Sequence, residues 1–300
     1  MSLEALDTSY EPFSQQPEYI DLNRTFIGSL DLADRCRILD LACGTGTLTE
    51  LILEAVAPPT DPARAAWITG LDLSRQSLCH ARRRMQELGV ISGSPARSSV
   101  RPRVGLLEGS SESLPIATAS MDAVTIGNAI QLFEDKPKAV REVWRVLRPA
   151  GLFAFNSSFY AGTYVTGTES FYRHWVEEAF GYLRRASEEL KREGKPGIAR
   201  KRGAAKAASS QIWLSRGEYE DLLRSGGFDV ISVVERTVML TQSSFESIGS
   251  YVGLATVLLS GYPPGLACEA LEKAAGPALA ASGMQSVPRL WIEVVARKRA

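Results

Sequence analysis

An α/β protein with a mostly parallel sheet and helices on both faces is what this sequence predicts, and three observations carry that expectation. Short apolar runs alternate with helix-patterned segments through the first half of the chain; the first run ends at a glycine pair; two long helix-rich stretches interrupt the later strands. With 300 residues, 45% of them hydrophobic and 23% charged, the chain can bury one large core with insertions, which excludes disorder throughout.

The elements follow in order. Residues 1–36 read as an N-terminal helical segment. Arg37–Ala42 is short and apolar, as a buried parallel strand is, and a helix from Thr47 to Val56 comes after the glycines. Trp67–Leu71 is the second strand, closed by Asp72. Ser74 caps the helix that runs to about Leu88, before Gly89, and Arg82–Arg84 is its solvated face. Val104–Leu107 and Ala123–Ile126 are two further strands, Pro137–Leu147 is a helix stopped by Pro149 and Gly151, and Leu152–Phe155 is the fifth strand. This first part of the core spans 37–157.

The alternation then breaks. Residues 158–210 hold no clear strand but an aromatic helix from Glu169 to Leu190 and a Gly- and basic-rich stretch, Arg192–Lys206, expected as a mobile loop; together they read as a helical cap insertion. The core resumes over 211–242 with a helix from Arg216 to Arg224, a stop at Gly226-Gly227 and a strand from Val230 to Leu240. A second helical cap insertion, 243–288, places Phe245, Ile248, Val252, Ala255 and Leu259 at helical spacing, and a strand from Leu290 to Ala296 closes the core within 289–300. Seven strands result, with insertions after the fifth and the sixth.

Composition narrows the function. Lys plus Arg equals Asp plus Glu at 34 each, so the chain lacks the positive field of a nucleic-acid binder. Four cysteines without C-x-x-C spacing and two histidines suggest no metal site, and the thiols are expected reduced. The first residues do not resemble a secretory signal, and the longest uncharged run, Ser247–Cys268, is broken by Pro263-Pro264. A cytoplasmic protein without stable membrane insertion is expected; a homodimer is left open.

Leu39-Asp40-Leu41-Ala42-Cys43-Gly44-Thr45-Gly46 sits where a strand hands over to a helix, the place where open α/β sheets bind ligands. Gly44 and Gly46 let backbone approach a ligand closely, and the N–H groups of the next helix favour a polar or anionic group. Asp72, ending the next strand, can accept both hydroxyls of a ribose; its alternative is to cap the helix after it.

In these residues the chain resembles the class I S-adenosylmethionine-dependent methyltransferases, with Arg37–Glu50 similar to their first motif. The later blocks agree in order and spacing: Gly109–Pro115, Met121–Val124 through Asp135, and Arg141–Gly151 with Glu142, Arg145-Val146-Leu147 and Pro149. The similarity covers about Ile38 to Phe155, and it implies a Rossmann-like sheet and S-adenosylmethionine as cofactor. By this resemblance Asp40, Ala42, Gly44 and Gly46 line the methionine end, Asp72 holds the ribose and Leu73 packs on adenine. The family commonly has an aspartate where this chain has Ser110, so adenine recognition falls to backbone groups of Ser110 and Ser111. Gln131 stands where many relatives carry a histidine; Asn128 and Gln131 orient the sulfonium end or the substrate, or stabilise a turn. Tyr19, with Tyr10, closes over the cofactor or packs.

The expected reaction is methylation, foremost on oxygen, of a small, largely apolar or aromatic molecule. N- or C-methylation of a lipid or natural product, and a cofactor-binding partner subunit without activity, are the alternatives. His174 is the best side-chain base on offer if one is used, unless it only supports packing between its aromatic neighbours. Tyr172, Trp175, Trp213 and Tyr251 are the expected acceptor wall, with cores of the insertions as their alternative role.

Overall fold

The structure, a computed structural model, describes residues 10–33, 35–56, 65–91, 102–201 and 213–299. The strands are β1 (Arg37–Leu41), β2 (Trp67–Asp72), β3 (Arg103–Glu108), β4 (Met121–Gly127), β5 (Leu147–Ser157), β6 (Phe228–Leu240) and β7 (Val287–Lys298). They form one Rossmann-like sheet in the order β3-β2-β1-β4-β5-β7-β6, parallel from β3 through β5, with β7 antiparallel to β5. The helices are α1 (Glu11–Ser14), α2 (Pro17–Gly28), α3 (Thr47–Ala55), α4 (Arg75–Glu87), α5 (Lys136–Val146), α6 (Glu169–Arg192), α7 (Arg216–Ser225), α8 (Gln242–Gly249), α9 (Val252–Leu258) and α10 (Pro264–Ser282).

The described residues fall into two compact units. One holds Ile20–Thr163, Trp213–Arg236 and the chain from Trp291; the other holds the residues up to Tyr19, those from Tyr164 to 201, and Thr237–Leu290. In the first, register lines up Val104, Ile68, Ile38, Ala123 and Leu152 across five strands. This buried row packs with Phe26 and Ile27 of α2 and Leu48 and Ile52 of α3, and so sets the sheet's place among its helices. In the second unit α6 lies along α10, and α10 also packs against α8 and α9.

Some boundaries differ from the expected ones, for identifiable reasons. The fifth strand begins at Leu147, directly after α5, where Leu147 pairs with Met121; the exposed residues Arg148–Ala150, with Ala150 at φ 60°, then bulge out before pairing resumes between Leu152 and Ala123. The second insertion is three helices: Tyr251 takes extended backbone and separates α8 from α9, and Pro263-Pro264 separates α9 from α10 by removing N–H donors. The expected mobile stretch is described only as far as Lys201; Lys206 and the end of the first insertion at Ser210 lie outside the described residues. Among the described residues, no helix is long and apolar enough to cross a membrane.

Candidate functional site

The carboxyl end of β1 meets the point where the strand order reverses, with β2 on one side and β4 on the other. The chain turns sharply there. Ala42, Gly44 and Gly46 all have positive φ (58°, 55° and 89°), and Gly46 is the N-cap of α3. A Cβ on Gly46 would lie 3.2 Å from Ala81 Cβ in α4, so that glycine serves both the turn and helix packing. A Cβ on Gly44 would meet nothing within 4 Å: this glycine has open space beside it. Ala42 holds the same left-handed conformation at a cost of about 1 kcal/mol. Cys43 between them is buried, which pushes its thiol well above the usual range and leaves it unreactive.

Asp40 lies fully buried in β1, in register with Gly70 and Thr125. Thr49 Oγ1, in the first turn of α3, donates to its Oδ2 at 2.5 Å, whereas Oδ1 is buried without a hydrogen-bond partner. Burial raises the carboxyl pKa to about 7, with Asp72 adding to the rise and the Thr49 hydrogen bond opposing it. Such an orphaned oxygen is a demand for a donor or a cation.

Asp72 ends β2 and accepts backbone N–H from Gly44 on Oδ2 (2.9 Å) and from Ser74 on Oδ1 (2.7 Å). It therefore ties the glycine loop to the next turn, and each oxygen retains a lone pair. Its alternative role as helix cap is filled by Ser74, whose Oγ accepts from Ser77 N–H at 3.2 Å. Leu73 follows with 74% of its surface exposed, an unusual setting for a leucine beside a carboxylate. Ser110 and Ser111, after β3, are half-buried, and Ser110 Oγ accepts from Glu112 N–H. Helix α5 pins the segment that follows: Leu114 N–H donates to Glu142 Oε2 (2.7 Å), while Arg145 donates to the carbonyls of Leu114 and Ile116.

After β4, Asn128 (φ 51°) and Gln131 are buried in a network with the end of β5. Asn128 Oδ1 accepts from Ser158 N–H at 2.7 Å; Gln131 donates to the Asn128 carbonyl at 2.7 Å and accepts from Ser157 Oγ at 2.8 Å. Asn156 Oδ1 accepts Asn128 N–H while its Nδ2 donates to Asn23 of α2. Asn128 and Gln131 thus stabilise the turn at the end of β4.

The remaining predicted residues stand elsewhere. Tyr19, Tyr172, His174, Trp175 and Tyr251 belong to the helical unit, whereas Trp213 belongs to the sheet unit, edge-on to Phe159 at 5.6 Å. Tyr10 packs edge-to-face on both Tyr19 (5.9 Å) and Tyr251 (5.1 Å), and Gln16 donates to Ser247, so the segment before α2 is docked on α8. Trp175 is 3% exposed, stacked near Phe171 and edge-on to Phe245, with its N–H donated to the Leu271 carbonyl at 2.8 Å. His174, half-buried on α6, has Nδ1 3.3 Å from Glu177. Asn23, Thr49, Asn156, Ser157 and Ser158 are members of these networks that the sequence did not single out; a polar first-turn residue nine positions after Asp40 is the one visible sign of Thr49.

The methyltransferase-domain family matches residues 39–155. Over 122 residues, 41% of this chain and 46% of the other, the chain is 32% identical to a 2-phytyl-1,4-naphtoquinone methyltransferase of Thermosynechococcus vestitus. It spans about half the length of the curated relatives it matches. Among solved structures, the (4+2)-cyclase SpnF superposes with a TM-score of 0.54 at 17% identity, covering 94% of this chain and 82% of that one. A phosphoethanolamine N-methyltransferase 2 of Haemonchus contortus, in complex with phosphomonomethylethanolamine and S-adenosylhomocysteine, gives 0.52 at 15% identity, covering 98% and 61%. At these identities the likeness is one of fold.

Proposed function

Because residues 39–155 are a methyltransferase domain with the class I architecture, we propose that this chain is an S-adenosylmethionine-dependent methyltransferase acting on a small, largely apolar or aromatic molecule. The observation that carries the reading is the meeting of the β1 glycine loop with Asp72, whose oxygens each keep a lone pair beside the open space at Gly44. The residues fit the cofactor chemically. The orphaned Oδ1 of Asp40 suits the cationic amino-acid end of the ligand, with Ala42, Gly44 and Gly46 giving backbone approach; Asp72 suits the ribose diol, the exposed Leu73 side chain suits a flat base, and the backbone of Ser110 and Ser111 suits its edge. Tyr19 would contribute a ring, and Asn128 and Gln131 would hold the turn they stabilise.

The bound cofactor supplies a methyl group already activated on a sulfonium. What remains for the chain is to orient the acceptor and exclude water, and orientation alone is worth roughly 7–11 kcal/mol. We assign the acceptor atom as oxygen and His174 as the base that takes its proton, with Glu177 fixing the imidazole. The two insertions, 158–210 and 243–288, would choose the acceptor, with the half-buried Tyr172 and Tyr251 of the helical unit beside it and the cytoplasm as its compartment. A second reading, methylation of a quinone-type ring, is favoured by the naphthoquinone methyltransferase named among the relatives. Incubation with S-adenosylmethionine and panels of phenols, aromatic acids and naphthoquinols, followed by mass spectrometry, tests both. A gain of one methyl on oxygen supports the first reading, a ring methyl supports the second, and no methylated product with any panel member contradicts both.

A further inference from the structure

Between residues 184 and 201 of the helical unit, seven cationic side chains stand against three acidic ones, so this stretch is net positive in a chain that is neutral as a whole. Among the described residues, Lys195 alone of the seven has an acidic partner, Glu193 at 2.7 Å. Arg184, Arg185, Lys191, Arg192, Arg200 and Lys201 are all exposed. The backbone gathers them. A Cβ on Gly181 would lie 3.2 Å from a guanidinium nitrogen of Arg185 and 3.9 Å from one of Arg184, so two like charges sit side by side over that glycine. After α6 the chain folds back along the helix: Ile198 N–H donates to Ser187 Oγ at 3.0 Å, and a Cβ on Gly197 would lie 2.6 Å from Lys191 Cε. The cations therefore form one ridge.

This ridge is fastened to the uncharged run 247–268. Arg200 Nε donates to the Ser260 carbonyl at 2.9 Å, and Lys201 N–H donates to the Gly261 carbonyl at 2.7 Å. Gly261 has φ 91°, and a Cβ there would lie 2.5 Å from the Lys201 carbonyl oxygen, so the close approach requires glycine. The Arg200 guanidinium lies 5.8 Å from the ring centre of Tyr262, whose ring meets Phe180 of α6 at 6.0 Å. Arg184 stands one turn beyond Phe180 on the same side of that helix. Within the run, Val257, Pro263 and Pro264 are exposed, and Leu254, Leu258 and Tyr262 are half-buried. Exposed apolar residues thus adjoin exposed cations.

Cations alone fit any polyanion, and the apolar neighbour narrows the choice. A nucleic-acid backbone offers nothing to an exposed valine and two prolines. An anionic bilayer offers phosphates to the cations and an acyl boundary to the apolar residues, with the long Lys and Arg stems reaching from one to the other. We propose that the ridge 184–201, together with the turn around Tyr262, is a docking surface for an anionic lipid bilayer. The proposal goes beyond the methyltransferase reading and does not depend on it; that reading gives docking a use, since a largely apolar acceptor concentrates in a bilayer. The basic stretch and the uncharged run are separate features of the sequence, and only the fold sets them side by side.

Co-sedimentation of the full chain with lipid vesicles tests the proposal. Vesicles of phosphatidylcholine with about one-third phosphatidylglycerol should carry down the wild type at low salt. Pure phosphatidylcholine vesicles should bind at least about tenfold more weakly, and salt at about 0.5 M should release the protein. Arg184→Gln combined with Arg185→Gln should weaken binding to the anionic vesicles roughly tenfold to thirtyfold, and Val257→Asp roughly threefold to tenfold. Arg82→Gln combined with Arg83→Gln removes the same charge from an exposed part of α4 in the sheet unit and should change binding by less than about twofold. All the substituted positions are exposed, and unfolding curves show that each variant is folded. Equal binding to the two kinds of vesicle, no sedimentation with either, or equal losses in the two double variants overturns the proposal. Binding of duplex DNA that is lost with Arg184 and Arg185, while vesicle binding is not, assigns the ridge to nucleic acid and overturns it as well.

Discussion

Asp40 shows how one residue can oppose folding and serve binding. Its carboxyl is buried with one oxygen unanswered, and its pKa rises to about 7 from the ordinary carboxylate range. A group raised in the folded state contributes most to stability below its unfolded pKa and loses that contribution as pH climbs through the folded one. Between about pH 4 and pH 7 the free protein therefore loses stability from this group, on the order of 4 kcal/mol at most. Asp40→Asn should flatten that dependence, so that the variant is more stable than wild type at pH 8 by more than at pH 5, measured by urea unfolding; parallel curves would contradict the assignment. Asp40 itself was legible in the sequence through its place before the glycines. The demand of its second oxygen was not, because Thr49 and the sheet neighbours that define it come together only in the fold.

Elements with strong local patterning were legible, and those fixed by distant partners were less so. β1 to β4 and the helices after them lie within a few residues of the expected ranges, since each strand is a short apolar run closed by a turn signal and Ser74 caps α4 as its position implies. The second insertion is three helices although apolar residues at helical spacing run from Phe245 to Leu259, because Tyr251 takes extended backbone inside that run and Pro263-Pro264 follow it. Trp175 illustrates the same limit on α6. Its place among aromatics suits an acceptor wall, yet its ring is enclosed by Phe171 and Phe245 and its N–H is taken by Leu271. Trp175→Ala should accordingly destabilise the protein by about 3–5 kcal/mol through the cavity it leaves. Urea unfolding checks this, and a loss under 1 kcal/mol would mean that the ring contributes little to the core.

At the scale of the molecule, equal numbers of acidic and basic residues, a sheet that reverses its order at β1 and two helical insertions are the features behind the proposed reading of the chain as an enzyme of small molecules. The proposed function follows from what gathers at the carboxyl ends of β1 and β2: a glycine loop at positive φ, a buried acid with an open oxygen, and a second acid already bonded to that loop. The domain family was legible from this stretch because its residues are close in sequence to the strands that carry them. The helical unit was less legible, because its contacts join segments far apart in sequence, as where Tyr10 packs edge-to-face on Tyr251. The central claim is that Asp72 and the glycine loop hold the cofactor. Calorimetric titration of S-adenosylhomocysteine into wild type, Asp72→Ala and Asp72→Asn tests it, with unfolding curves to show that each variant is folded. The account predicts tight binding by wild type and roughly 10- to 150-fold weaker binding by Asp72→Ala, the loss of about 1.5–3 kcal/mol of charged hydrogen bonding, with Asp72→Asn between them. Equal affinity in all three proteins, or no binding by folded wild type, would contradict it.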